Sequence, residues 1–238
     1  MVFGVILAGG VGTRMGNVDK PKQYLTIGGK PIIVHTVEKF YINDKFEKII
    51  ILCPQNWIAY TIDIFKKYQS EQGNKIVIIP GGLTRNETIL NAIDYIEQNY
   101  GLDEDTVVVT HDAVRPFVTY RIIEENIKFA TKGVACDTVV PATDTIVESK
   151  DGEVITQIPN RAKYYQGQTP QSFKAKLFKK LFNSLSVQEQ AILTDAAKVF
   201  VMKGYPVSLV MGEASNIKVT YPYDLEFAET LLGGDKPC

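Results

Sequence analysis

Apolar positions arrive in short solid runs separated by stretches in which they recur every three or four residues. Val2 to Leu7, Lys48 to Cys53, Lys75 to Ile79, Thr106 to Thr110 and Val134 to Pro141 are runs of the first kind, as expected of strands covered on both faces. Between them, Ile32 to Phe40, Trp57 to Tyr68, Thr84 to about Asn99 and Tyr120 to Thr131 carry helical spacing. Pro31 suits the opening of the first of these helices. Thr84 and Glu87 have capping-box spacing at the start of the third, and Gly101 stands just past its end. Strand and helix alternate with short connections, so the pattern predicts an α/β fold: a mostly parallel sheet flanked by helices. Right-handed crossovers gather the C-terminal ends of the strands on one edge, where such sheets bind ligands. The loops at Gly9, Gly81 and His111 all follow strands and are expected to converge there.

After Pro141 the alternation stops. Asp144 to Glu148 and Glu153 to Ile158 flank Lys150-Asp151-Gly152, and Asp-Gly signals a tight hairpin turn. A lone two-stranded hairpin is marginal in water and exposes an unpaired edge. Residues 142–164 are therefore expected to form a protruding β-hairpin arm that pairs with a second subunit. Beyond it, helices are expected near Lys174 to Asn183, after the capping box of Ser186 and Glu189, and from Thr194-Asp195 to about Lys203. Short strands are expected at Val207–Val210 and Ile217–Val219, and a last helix at Pro222. No repeat, low-complexity tract or linker interrupts the 238 residues, which predicts one domain, 1–238, carrying the arm.

Composition narrows the partners. A net charge of −1 leaves no global field for nucleic acid or an anionic membrane. No apolar stretch approaches a membrane span, and the N-terminal run is too short for a signal peptide. Cys53, Cys136 and Cys238 are odd in number and form no CxxC pair, so the first two are expected to be buried reduced thiols. The expectation is a cytoplasmic protein with no nucleic-acid partner and no membrane insertion.

Candidate chemistry starts in the first loop, Leu7-Ala8-Gly9-Gly10-Val11-Gly12-Thr13-Arg14-Met15-Gly16. Glycines after a strand let backbone N–H groups approach phosphate oxygens, and Arg14 and Lys22 add fixed positive charge. No GxxxxGK[ST] can be laid on the loop, and the dinucleotide fingerprint fails at Met15, with its third glycine falling at Gly16. These residues point to a triphosphate cradle, with a ligand-free tight turn as the alternative. Asp112, at a strand end, could reach a Mg²⁺ bound to phosphates, or could be a turn residue or a partner for Arg115. Arg161 and Lys218 are either solvated charges or, together, a second anion site. Thr194 reads as part of a helix cap, with binding of acceptor hydroxyls as the other reading, and Thr145 reads as a strand residue. No GxSxG elbow or HExxH is present, so hydrolase and zinc-protease readings have no support.

Taken together, LAGGVGTRMG, PKQYL, GGLTRNET, HDAVRPF, QGQTPQSF and NIKVT resemble the cytidylyltransferases that act on sugar-alcohol phosphates. That family includes the 2-C-methyl-D-erythritol 4-phosphate and ribitol-5-phosphate enzymes. YQGQTPQSF with THDAVRPF is more similar to the ribitol branch, which supplies teichoic-acid synthesis. The resemblance implies a Rossmann-like nucleotidyltransferase fold, CTP as substrate and a homodimer. It implies Leu7, Ala8, Gly9 and Gly10 along the nucleotide and Arg14 and Lys22 on its phosphates. Gly81, Gly82, Leu83, Thr84, Arg85, Asn86, Glu87 and Thr88 would hold cytosine and ribose, and Asp112 would ligate Mg²⁺. Arg161, serving the neighbouring subunit, and Lys218 would position the acceptor phosphate, with Thr145 and Thr194 as further acceptor contacts. One position departs from methylerythritol relatives: Ser215, before Asn216-Ile217-Lys218, replaces a carboxylate that can help bind metal.

Overall fold

A computed structural model describes residues 1–10, 15, 19–68 and 73–233. In chain order its elements are β1 (Val2–Leu7), β2 (Thr26–Ile27), β3 (Lys30–Pro31), α1 (Ile32–Tyr41), β4 (Lys48–Cys53), α2 (Ile58–Tyr68), β5 (Ile76–Pro80), α3 (Arg85–Tyr100), β6 (Val107–Asp112) and α4 (Tyr120–Lys132). They continue with β7 (Ala135–Pro141), β8 (Tyr165–Lys174), α5 (Ala175–Asn183), α6 (Val187–Ala191), α7 (Ala197–Met202), β9 (Ser208–Met211) and α8 (Pro222–Leu231). Seven strands form one sheet in the order β5-β4-β1-β6-β8-β7-β9, and β2 pairs with β3 in a separate small hairpin. Pairing is parallel except for β8, which runs antiparallel to both β6 and β7.

The solid apolar runs fold as they do because both faces of the sheet are covered. Alternate residues of a strand point to opposite faces. Ile49 and Ile51 of β4 enter a core shared with Val37, Phe40, Ile122 and Ile123. Ile50 and Leu52 enter the other, with Ile89, Ile93, Phe178 and Phe200. α1, α2 and α4 therefore lie on one face and α3, α5 and α7 on the other.

One strand was not anticipated and two expectations are corrected. β8 carries no apolar run and was not legible as a strand, yet Gln168, Thr169, Gln171 and Ser172 are buried in it. Their polar groups are satisfied within the fold: Thr110 Oγ1 donates to Gln171 O at 2.8 Å, and Ser172 Oγ to Asn126 Oδ1 at 2.9 Å. Ile217–Val219 is not a strand; Val219 N–H donates to Val114 O at 2.9 Å and docks that segment beside the end of β6. The arm is not a two-stranded ladder. A single bridge joins Glu148 and Gln157, and Asp151 closes the turn by accepting from Glu153 N at 2.9 Å and Val154 N at 3.0 Å. An arm with Val147, Val154, Ile155 and Ile158 exposed lacks the second layer that would stabilise a ladder.

Candidate active site

The three loops do converge. They enclose a cavity of about 430 Å³ at the C-terminal edge of β1 and β6, whose last residues, Leu7 and Asp112, sit side by side in register. Leu7, Ala8, Gly9 and Gly10 form one wall. Ala8 is fixed by its N–H to Leu52 O at 2.8 Å and by Gln23 Nε2, which donates to Ala8 O at 2.7 Å. A Cβ built on Gly9 or Gly10 meets none of the described residues within 4 Å, so packing against them does not require glycine there. Lys22 lines the same wall from a short 3-10 turn, Lys22–Tyr24. That turn is anchored by Tyr24, whose ring stacks on Trp57 at 5.1 Å and whose hydroxyl meets Thr61 Oγ1 at 2.7 Å. Arg14, Gly12 and Gly16 lie outside the described residues.

The opposite wall is the start of α3: Gly82, Leu83, Thr84, Arg85 and Thr88. The capping box is formed, with Glu87 N donating to Thr84 Oγ1 at 3.2 Å and Glu87 Oε2 accepting from Thr84 N at 3.1 Å and Leu83 N at 2.9 Å. Gly82 N donates to Thr88 Oγ1 at 3.0 Å. Here glycine is compulsory, since a Cβ on Gly82 would stand 2.5 Å from Glu87 Cβ. Gly81, Asn86 and Glu87, expected to touch the nucleotide, do not line the cavity. Gly81 N–H is spent on Cys53 O, Glu87 on the cap, and Asn86 is buried.

The floor is electrostatic. Asp112, 5% exposed, meets Arg85 Nη1 through Oδ1 at 2.5 Å. Its Oδ2 meets Lys218 Nζ at 2.8 Å and Arg115 Nε at 3.5 Å. Burial alone would raise its pKa, but Arg85, Lys218 and Arg115 outweigh burial and hold the carboxyl well below the usual range. Three cations thus surround one anion, a net positive site beside a glycine wall.

The acceptor residues are only partly assembled. Lys218 lines the cavity, whereas Arg161, Thr145 and Thr194 do not. Arg161 Nη1 donates to Thr143 O within the arm, and Thr194 Oγ1 faces Asp195 Oδ2 at 3.3 Å. Among the described residues, no group of three His, Cys, Asp or Glu could hold a metal ion by itself. Sequence reasoning missed Gln23, Ala113 and Val114 as lining residues. It also missed the tie from Arg115 Nη1 to Asn216 O at 2.8 Å. The adjacent PKQ and HDAV strings were the available signal for the lining residues; no local pattern announces a bond spanning a hundred positions.

A parallel-centred α/β sheet with a glycine wall and clustered cations at its C-terminal edge defines a nucleotidyltransferase-like protein. Residues 2–234 match the family model for 2-C-methyl-D-erythritol 4-phosphate cytidylyltransferase (IspD). The chain belongs to that family, whose members are CTP-dependent cytidylyltransferases. Among solved structures it is similar to 4-diphosphocytidyl-2C-methyl-D-erythritol synthase of Anaerococcus prevotii, at 27% identity and a TM-score of 0.80, covering 98% of this chain and 96% of that one. The Francisella tularensis 2-C-methyl-D-erythritol 4-phosphate cytidylyltransferase is 28% identical, with a TM-score of 0.77 over 96% and 98% of the two chains. The bifunctional IspDF of Campylobacter jejuni is 25% identical with a TM-score of 0.74; the match covers 94% of this chain and 53% of that one. No helix among the described residues is long and apolar enough to cross a membrane.

Proposed function

We propose that the enzyme transfers CMP from CTP to D-ribitol 5-phosphate, giving CDP-ribitol and pyrophosphate as a step toward a polyol-phosphate polymer such as teichoic acid. The observation that carries the transfer is the pairing of an open Gly9-Gly10 wall with a buried carboxylate surrounded by three cations. An acceptor phosphate attacks the α-phosphorus in line as the bond to pyrophosphate breaks. A phosphate monoester loses its second proton near pH ~6, so the nucleophile is largely dianionic at neutral pH and no general base is needed. The obstacle is repulsion between two polyanions. Arg14, Lys22 and backbone N–H groups offset it on the CTP side, while Lys218 and a neighbouring subunit's Arg161 do so on the acceptor side. Both Asp112 oxygens are engaged by Arg85, Lys218 and Arg115, so this carboxylate would hold a Mg²⁺, alongside phosphate oxygens and water, only where one of those cations gave way to it; the ion would supply further positive charge. Ser215 provides no second carboxylate.

The ribitol reading rests on the QGQTPQSF and HDAVRPF strings and on Ser215. The names of the similar structures favour a second acceptor, 2-C-methyl-D-erythritol 4-phosphate. Pyrophosphate release with CTP and each polyol phosphate in turn decides between them. Ribitol 5-phosphate is expected to give the higher kcat/KM, and a preference for the methylerythritol phosphate would overturn the assignment.

A further inference from the structure

His111 is fully buried and does not line the cavity. Its hydrogen bonds can nevertheless be assigned without ambiguity. Nε2 lies 3.0 Å from Arg115 O, and a carbonyl only accepts, so Nε2 carries the proton. Nδ1 lies 2.9 Å from Thr169 Oγ1 and, in the neutral ring, must then accept from that hydroxyl. The hydroxyl oxygen in turn accepts from Asp112 N–H at 3.2 Å. The line therefore runs Asp112 N–H to Thr169 O–H to His111 to Arg115 C=O, and every donor and acceptor in it is used. Thr169 Oγ1 accepts from Asp112 N–H and has its own proton to place, and Nδ1 is the acceptor it faces, so the geometry itself selects the neutral Nε2–H ring.

We infer that His111 and Thr169 are positioning residues, which together clamp the Asp112–Arg115 turn and thereby aim the carboxylate and guanidinium of the charged floor. A second tie closes the frame: Arg115 Nη1 donates to Asn216 O at 2.8 Å, and Asn216 Nδ2 to Thr169 O at 2.9 Å. Lys218 follows Asn216 by two residues and meets the same Asp112 oxygen as Arg115. The imidazole and the hydroxyl thus tie the β6 end and its turn to β8, and the Arg115 guanidinium and the Asn216 amide bring in the segment before α8. The ring also packs against Phe40, with centroids 5.3 Å apart. The inference rests on the proposed role of the Asp112 cluster in turnover.

The test uses Thr169→Val, which keeps the side-chain shape and removes the hydroxyl, with Thr169→Ser restoring it. Both are compared with Lys218→Ala, using CTP and whichever of ribitol 5-phosphate and methylerythritol 4-phosphate the wild type uses. Thr169→Val is expected to lower kcat by on the order of 10²-fold, as slight misplacement of reacting groups does, with its melting temperature held near wild type. Thr169→Ser should recover most of that loss. Full turnover in Thr169→Val with Lys218→Ala impaired overturns the inference alone; full turnover in Lys218→Ala overturns the underlying role. Independently of any acceptor, ¹⁵N spectra of labelled histidine, of which the chain has 2, should show His111 as the neutral Nε2–H tautomer, with its Nδ1 signal moved by Thr169→Val. An Nδ1–H tautomer overturns the clamp directly.

Discussion

Asp137 of β7 lies directly across from Gln171 of β8 and accepts from its Nε2 at 3.1 Å. Burial pushes its pKa from the ordinary 3.8 to about 6, against that hydrogen bond and with help from the charge of Asp195. Between those two values the unfolded chain gives up the proton while the folded one keeps it, so stability falls as pH rises through the window. The whole cost is present above pH 6 and amounts to at most about 3 kcal/mol. Asp137→Asn should therefore match wild type near pH 3.5 and exceed it increasingly up to neutral pH in urea titrations. A difference that does not change with pH would refute this. The cavity cations are tested through turnover instead, because the proposed function assigns their charge to a ligand. Lys22→Ala is expected to lower turnover by on the order of 10²–10³-fold. Near-normal turnover in the purified variant would remove Lys22 from the phosphate wall.

At the scale of elements, the start of α3 separates two kinds of glycine. A Cβ on Gly82 would press to 2.5 Å from Glu87 Cβ and 2.9 Å from its carbonyl carbon, forcing the capping box apart. Gly82→Ala should cost stability as well as CTP affinity. Thr84→Ala, which removes the cap but no space, should cost about 1 kcal/mol in the same urea titration. Gly9→Ala meets no atom of the described residues, so its unfolding midpoint should not move while the KM for CTP rises; a destabilised Gly9→Ala with normal KM would mean that the wall is a folding feature only. The capping box was readable from Thr84 and Glu87 because both partners lie within one turn. β1, β4 and β6 were readable because two-sided burial writes a solid apolar run. β8 was not, since its burial is satisfied by hydrogen bonds from Thr110 and Asn216 and by one that Ser172 donates to Asn126, which hydrophobic patterning cannot register. For the same reason the glycine wall, Lys22, Asp112 and Lys218 were legible as motifs, while the ties that orient them were not.

For the whole molecule, the overall charge of −1 conceals a positive cluster at one sheet edge, and one more cation is held away from it. Arg161 is bonded within the arm to Thr143 O, and the arm exposes Val147, Val154, Ile155 and Ile158. An apolar arm without a second layer of its own is accounted for if it packs on a twofold-related subunit and delivers Arg161 to that subunit's cavity. Isologous exchange makes a specific demand. In a dimer formed from one Arg161→Ala chain and one Lys218→Ala chain, one cavity carries both lesions and the other carries neither. Mixing the two inactive variants under conditions that allow subunit exchange should thus restore about a quarter of wild-type activity, because half of the dimers are mixed and each has one intact site. If Arg161 served its own subunit, every cavity in the mixture would carry one lesion and no activity would return. The same mixture run in sedimentation equilibrium must show dimers. Monomers that retain full turnover would detach the arm from catalysis altogether.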